Sequence, residues 1–297
     1  MKRLHLEHPE DTILTGDLSV LDAFLAPNDY SVKIDGSPAI VWGTNPDNGK
    51  FFVGTKSVFN KKNPKINYTE EDICRNHPQF ELQSILIRCL HCLPRTDAVP
   101  FQVFQGDFIG YGGYRDYKPN VISYTFDRVM NKGIVVAPHT YYTGNTLKDM
   151  EANALTFVLL GGDGADFIQP DAWISEYRGN AMNIEMMVGF ARQMATLVDF
   201  ATEKEAKQLK IDLNAYVRDG DEVVAEEFAN YQLVRLWCLV ENIKTEYMKL
   251  MRDNFKVDCF LGNEYVEGEG YVMHSQYGHY KLVNRQQFSY YNFNVAR

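Results

Sequence analysis

Tyr30-Ser31-Val32-Lys33-Ile34-Asp35-Gly36-Ser37-Pro38-Ala39-Ile40-Val41-Trp42-Gly43 is the stretch on which the reading of this chain turns. Side chains alternate along an extended backbone, so a strand ending here puts Lys33 and Asp35 on one face and Val32 and Ile34 on the other. A lysine amine at its ordinary pKa of about 10.4 is a poor nucleophile at neutral pH. It becomes a useful one where neighbours or desolvation free its lone pair. An acid two residues on can orient that amine and share a proton or a metal, and Gly36 lets the backbone approach a ligand closely. Taken alone, Lys-x-Asp-Gly is also what a plain turn at a strand end looks like, so its neighbours along the chain decide.

Outward from this stretch, short apolar runs punctuated by Gly, Pro and Asn continue to about residue 143: YSVKIDG, PAIVWG, KFFVGT, FQVFQGDF, VISYTF and GIVVAP. Their length and β-branched or aromatic content predict strands, and the turn formers of Thr44–Gly49 predict a hairpin joining PAIVWG to KFFVGT. Between the fourth and third runs, residues 70–92 place Phe80, Leu82, Ile85, Leu86, Cys89 and Leu90 at helical spacing. From about 145 to 256 the pattern turns helical. Met182–Thr202 and Glu222–Phe255 carry broad stripes of Met, aliphatic and aromatic residues of the kind that fill a core. Within this block Gly161-Gly162-Asp163-Gly164 marks a loop, and Asp163 and Asp166 read as turn formers. After Asp258 strand texture returns as GYVMH, a Ser275–Gly278 turn, and HYKLV. The expected class is α+β, with sequence-distant strands sharing a sheet.

Composition narrows the function classes. The 297 residues are 45% hydrophobic and 23% charged, enough to bury a core without staples. Thirty Lys+Arg against 39 Asp+Glu give a net charge of −9, which argues against coating nucleic acid through overall positive charge and leaves room for a local basic strip. Lys56-Ser-Val-Phe-Asn-Lys-Lys-Asn-Pro-Lys65 is such a strip, read equally as a polynucleotide footprint or as a solvated loop. Five cysteines spread thinly over the chain suit a reducing compartment, and the single pair Cys89/Cys92 reads as thiols rather than a zinc site. The first fourteen residues lack a signal-peptide core and no run is long enough to span a bilayer, so a cytoplasmic protein without membrane contact is expected.

In the order Lys33-Ile-Asp-Gly36, Val103-Phe-Gln-Gly-Asp107-Phe108, Glu269-Gly-Tyr-Val272 and Tyr280-Lys281-Leu-Val283, the chain resembles the covalent nucleotidyltransferases, that is, ATP-dependent polynucleotide ligases and mRNA capping enzymes. Phe101–Gly110 is particularly similar to the third motif of phage-type RNA ligases, with Asp107 where glutamate is more usual. Lys33–Gly43 is similar to ligase-like proteins of large tailed phages. The resemblance covers about residues 30–143 and 258–290.

It implies a ligase-type adenylation fold of antiparallel sheets with flanking helices, built from residues 1–144 and 257–297, with 145–256 as a helical insertion. It implies an ATP-dependent ligase, RNA before DNA, that seals 5′-phosphate to 3′-hydroxyl ends in nucleic-acid repair through a lysyl-AMP on Lys33. Asp35 would orient the nucleophile, Gly36 line the nucleotide, and Asp107 and Glu269 hold ribose and Mg²⁺ (or Mn²⁺). Lys56 and Lys281 would neutralise phosphates. Tyr124 would stack on the base or else be strand core, with Phe126 as the other choice. His139 reads first as a structural histidine.

The chain departs from the pattern where a second lysine is usual after Lys281; the next cation is Arg285. No OB-fold segment follows before Arg297, which favours RNA ligases over DNA ligases and capping enzymes. Partners implied are ATP, RNA or DNA ends, and a protein partner for the insertion, in a host cytoplasm if the gene is a bacteriophage's. The rival readings are a GTP-dependent guanylyltransferase and a non-catalytic nucleic-acid-binding or virion protein on the same fold.

Overall fold

A computed structural model describes residues 6–93, 102–175 and 178–291. Phe101, the first residue of the third motif, lies outside the described residues, as do the ends of the expected domains at 1–5 and 292–297. In chain order the first half holds β1 (Leu6–Glu7), α1 (Pro9–Thr12), α2 (Ser19–Ala23), β2 (Asp29–Val32), β3 (Ala39–Thr44), β4 (Phe51–Gly54), α3 (Glu70–Asn76), α4 (Phe80–Cys92), β5 (Val103–Tyr111), β6 (Tyr114–Tyr117), β7 (Ile122–Met130) and β8 (Ile134–Thr143). The second half holds β9 (Glu151–Ala154), β10 (Ala165–Phe167), β11 (Ala172–Ile174), α5 (Arg178–Ala195), α6 (Glu203–Asp219), α7 (Tyr231–Met248), β12 (Met251–Asp253), β13 (Val257–Leu261), β14 (Glu264–Val266), β15 (Gly270–Ser275), β16 (Gly278–Val283) and α8 (Arg285–Tyr290). The protein is α+β with several mainly antiparallel sheets.

Two compact units form, and each is discontinuous in sequence. The first comprises Ile34–Gln169 and Lys256–Gly268. Its six-stranded sheet runs β10-β8-β5-β3-β4 with β9 also on β8, and its second sheet runs β14-β13-β7-β6. The hairpin expected between β3 and β4 is there, closed by Asn45 N–H donating to the Lys50 carbonyl at 2.9 Å. One side of the larger sheet buries Ile40, Trp42, Phe104 and Val136 against Ile85, Leu86 and Cys89 of α4. Cys89 and Cys92 are part of that core, and burial raises the Cys89 thiol above its ordinary value. Val41, Phe52, Val103 and Tyr142 fill the other side. The helix expected over 70–92 is two, interrupted at Pro78; Thr69 and Asp72 form a capping box that starts the first.

The second unit comprises residues 6–33, 170–255 and 269–291 of those described. Its sheet has the order β1-β16-β15-β2, with the expected C-terminal hairpin β15/β16 at its centre. Met273, Tyr280 and Leu282 on one face of this sheet enter a core with Val188, Leu213, Trp237, Val240 and Ile243 from α5, α6 and α7.

That packing changes the expected division. The boundaries at 144/145 and 256/257 separated hairpin from helices, whereas the helices and the sheet carrying Lys33 share one core. Residues 145–169 are loop and short strand, and β10 pairs in parallel with β8, so they belong with the first unit, whereas β11 pairs with β12 in the second. Helix α6 escaped the sequence reading, although Thr202-Glu-Lys-Glu205 caps it with a complete capping box. Asp166 is buried, its carboxylate accepting from the Lys132 N–H at 3.2 Å, and Asp163 is exposed in a turn.

Candidate active site

Lys33 ends the edge strand of the second unit's sheet. Its N–H donates to the Gly270 carbonyl at 2.8 Å, continuing the β2–β15 ladder one residue past the strand. This fixes the backbone from which Nζ reaches Glu269 Oε2 at 2.6 Å, a charge-assisted contact between residues 236 positions apart. The two side chains are 22% and 15% exposed, shielded but open enough to admit a ligand.

Gly270 follows Glu269 for a backbone reason. Its φ is +127°, and a Cβ there would sit 2.2 Å from the Leu282 carbonyl oxygen.

Lys281 lies on the same face as Lys33. It pairs with Val272, which pairs with Ser31, and Lys33 is two residues beyond Ser31, so the pleat carries all four side chains to one side. Burial lowers the Lys281 ammonium below its ordinary value and the Lys33 charge lowers it further, against the raising influence of Glu269 and Glu7. Two cations and a carboxylate thus converge on one sheet face. That arrangement suits a phosphate held beside an oriented amine.

The same face carries residues that the sequence reading passed over. Ser31 Oγ lies 2.9 Å from His274 Nε2, and the Nδ1 atoms of His274 and His279 are 3.2 Å apart. The period of two along GYVMH and HYKLV was the available signal, since His274 follows Val272 by two and His279 precedes Lys281 by two.

Arg285 does not join this face. Its guanidinium is 5% exposed and turned inward, donating to Glu10 at 3.0 Å and Asp11 at 2.9 Å, while Lys244 donates to Glu10 at 2.7 Å. Trp237 stacks under Arg285 and donates from its indole N–H to Asp11. Arg285 is therefore a buried structural cation.

The remaining expected residues lie in the first unit. The Asp35 N–H donates to the Tyr124 hydroxyl at 2.8 Å, and the Ser37 N–H donates to the Phe108 carbonyl at 3.1 Å, so the Asp35-Gly36 turn is tied to β7 and β5. A Cβ on Gly36 would lie 2.9 Å from the Asp107 Cβ and the Phe108 carbonyl oxygen, which is why the turn can sit against β5.

Tyr124 is 2% exposed and Phe126 6%, so both belong to the strand core. This matches the strand-core alternative for Tyr124, whose hydroxyl accepts from the Asp35 N–H. His139 is half-buried with side-chain partners on both ring nitrogens. A register shift between Gln105 and Gly106 aims its Nε2 to 3.7 Å from Asp107 Oδ1 and 3.4 Å from Gln105 Nε2, while Nδ1 faces Thr140 Oγ1 at 2.8 Å. Lys56 is exposed and opens a short 3₁₀ turn over Lys56–Phe59, capped by Thr55.

Among the described residues no group of three or more His, Cys, Asp or Glu could hold a metal by itself. The donor set fits a hard divalent cation only where a substrate supplies most of the oxygen ligands and the protein one or two carboxylates. No described helix is long and apolar enough to cross a membrane.

The model of the group described as "Family of unknown function (DUF6267)" matches residues 3–228 and 192–297, so the chain belongs to that family. No curated protein and no solved structure matches it.

Proposed function

We propose that this family member is an ATP-dependent polynucleotide ligase, RNA ends before DNA ends, working through a covalent lysyl-AMP on a ligase-type adenylation fold. The observation that carries the reading is the convergence of Lys33, Glu269 and Lys281 on one sheet face from the two ends of the chain.

In the first step Lys33 Nζ, having lost a proton, attacks the α-phosphorus of ATP. An N–P bond forms, and the P–O bond to pyrophosphate breaks. Glu269 aims the amine, and Lys281 offsets charge on the non-bridging oxygens. AMP then passes to a 5′-phosphate, restoring the Lys33 amine. Attack by a 3′-hydroxyl makes the phosphodiester and releases AMP.

Mg²⁺ (or Mn²⁺), carried with the phosphates, would supply charge neutralisation and a leaving-group clamp. The resemblance gives Asp35, Asp107 and Lys56 roles in orienting the nucleophile, holding ribose or metal, and meeting pyrophosphate. Tyr124 would act by holding the Asp35-Gly36 turn.

Incubation with α-labelled ATP and Mg²⁺, followed by denaturing electrophoresis, is expected to leave label on the wild-type chain and none on Lys33→Ala. Label retained by the variant would sink the assignment. Label taken from GTP alone would turn it to guanylyl transfer. The inward turn of Arg285 favours one rival, a nucleic-acid-binding protein without catalysis. Its signature is oligonucleotide binding with no adduct from any nucleotide.

A further inference from the structure

Between Asp47 and Glu70 the chain carries Lys50, Lys56, Lys61, Lys62 and Lys65 and no carboxylate, in a protein with 39 acidic residues and a net charge of −9. Lys50, Lys56, Lys61 and Lys62 are exposed, Lys65 is half-buried, and none of the five forms an ion pair among the described residues.

The loop that presents them is closed and anchored. Val53 and Asn67 pair across its base through N–H to carbonyl bonds of 3.0 and 3.3 Å, and buried Asn67 donates from Nδ2 to the Val53 carbonyl at 2.9 Å. Asn60 Oδ1 accepts from the Lys62 N–H at 3.0 Å and the Asn63 N–H at 3.3 Å, and the Lys65 N–H donates to the Ser57 carbonyl at 3.2 Å. Val58 and Phe59, the loop's large apolar residues, point into the core at 1% and 6% exposure.

We infer that residues 56–65 form a docking surface for the sugar-phosphate backbone of a polynucleotide strand. The surface rests on the ligase reading for the kind of polymer it would hold, and it can stand or fall separately. Unpaired ammonium groups on a pre-shaped loop release condensed counterions when they meet phosphates, without ordering the loop at that moment. The neutral groups among them, Ser57, Asn60 and Asn63, are of the kind that hydrogen-bond phosphate and sugar. An anionic bilayer is the poorer match, because lasting attachment there adds buried apolar side chains to the basic charge, and this loop keeps its apolar residues inside.

The test is fluorescence anisotropy with a labelled, 5′-phosphorylated single-stranded oligoribonucleotide, titrated between about 50 and 200 mM salt. Wild type is expected to bind with an affinity that falls as salt rises. Lys61→Gln/Lys62→Gln, at exposed bends outside the core, is expected to bind more weakly and to lower the log–log salt slope by about 1.4, at about 0.7 per phosphate contact on a single strand. Lys118→Gln/Lys148→Gln, two exposed lysines elsewhere in the same unit, should leave slope and affinity near wild type. Equal losses in both double variants, no loss in the first, an absence of oligonucleotide binding, or binding to anionic vesicles or an acidic polypeptide instead would each overturn the surface. Covalent labelling of the wild-type chain is scored separately. An unlabelled chain with the expected slopes would end the ligase reading and keep the surface, and a labelled chain whose slope ignores the first double variant would do the reverse.

Discussion

Glu269 holds Lys33 at 2.6 Å in a setting where neither group is well hydrated. Glu269→Gln would leave a half-buried ammonium with a weaker partner and remove the group that aims it. We expect folding stability to fall by about 1–3 kcal/mol, read from urea unfolding. Adenylation should fall by about 10²-fold or more, on the scale of lost proton-transfer or positioning groups. A variant that labels at the wild-type rate would assign Glu269 to stability alone. At this scale much was legible in the sequence. Alternation placed Lys33 and Lys281 on polar strand faces, and a motif put Glu269 before a glycine. Two residues could not be placed from the pattern alone, each for a physical reason. His139 sits at a bulge, and one inserted residue reverses which face a side chain takes, which a period-of-two reading cannot register. Tyr124 alternates inward on a strand whose partner, β13, is more than a hundred residues away in sequence.

At the scale of elements, α1, α7 and α8 are joined by buried charges. Glu10, fully buried, meets both Lys244 of α7 and Arg285 at the start of α8, and Asp11 meets Arg285 and the Trp237 indole. Glu10→Gln would take the paired carboxylate from buried Lys244 and leave Arg285 with Asp11. Breaking such a group by removing one partner costs about 3–5 kcal/mol, so a large drop in Tm is expected, far beyond that of a surface control such as Glu203→Gln. A Tm within a degree or two of wild type would refute this account of the cluster. Sequence reading found α5 and α7 from their apolar stripes but could not find this cluster. Its members lie up to 275 residues apart, and an isolated Glu-Asp pair in a first turn looks like ordinary helix-start chemistry.

For the whole molecule the titrating groups lean one way. Burial lowers His274 to about 4, helped by the His279 charge, and lowers His8, His77 and His279 as well. Unfolded, these imidazoles return to about 6.5, so below that pH the unfolded chain binds more protons and folding weakens as the pH falls, with full stability above it. Glu10 adds to the loss lower down. Burial would raise its carboxyl, but Lys244 and Arg285 hold it below the ordinary 4.5, so its contribution disappears as the pH falls through the lowered value. Glu241, raised by burial, runs the other way, one carboxyl against four imidazoles. The urea midpoint should therefore be lower at about pH 5 than at about pH 7.5; a midpoint equal or higher at pH 5 would contradict this. The α+β class could be read from apolar runs and turn formers. The grouping of strands with helices could not, because it depends on which core Met273, Tyr280 and Leu282 enter.

The peptide bonds 33–34, 169–170, 255–256 and 268–269 all pass from one compact unit to the other. Lys33 closes one segment of the second unit and Glu269 opens another, so the paired amine and carboxylate stand at two of these crossings. No single uninterrupted interval of the gene encodes either unit. During synthesis the chain must grow by 236 positions past Lys33 before the amine can meet its carboxylate, so the nascent protein carries the amine long before it can be aimed.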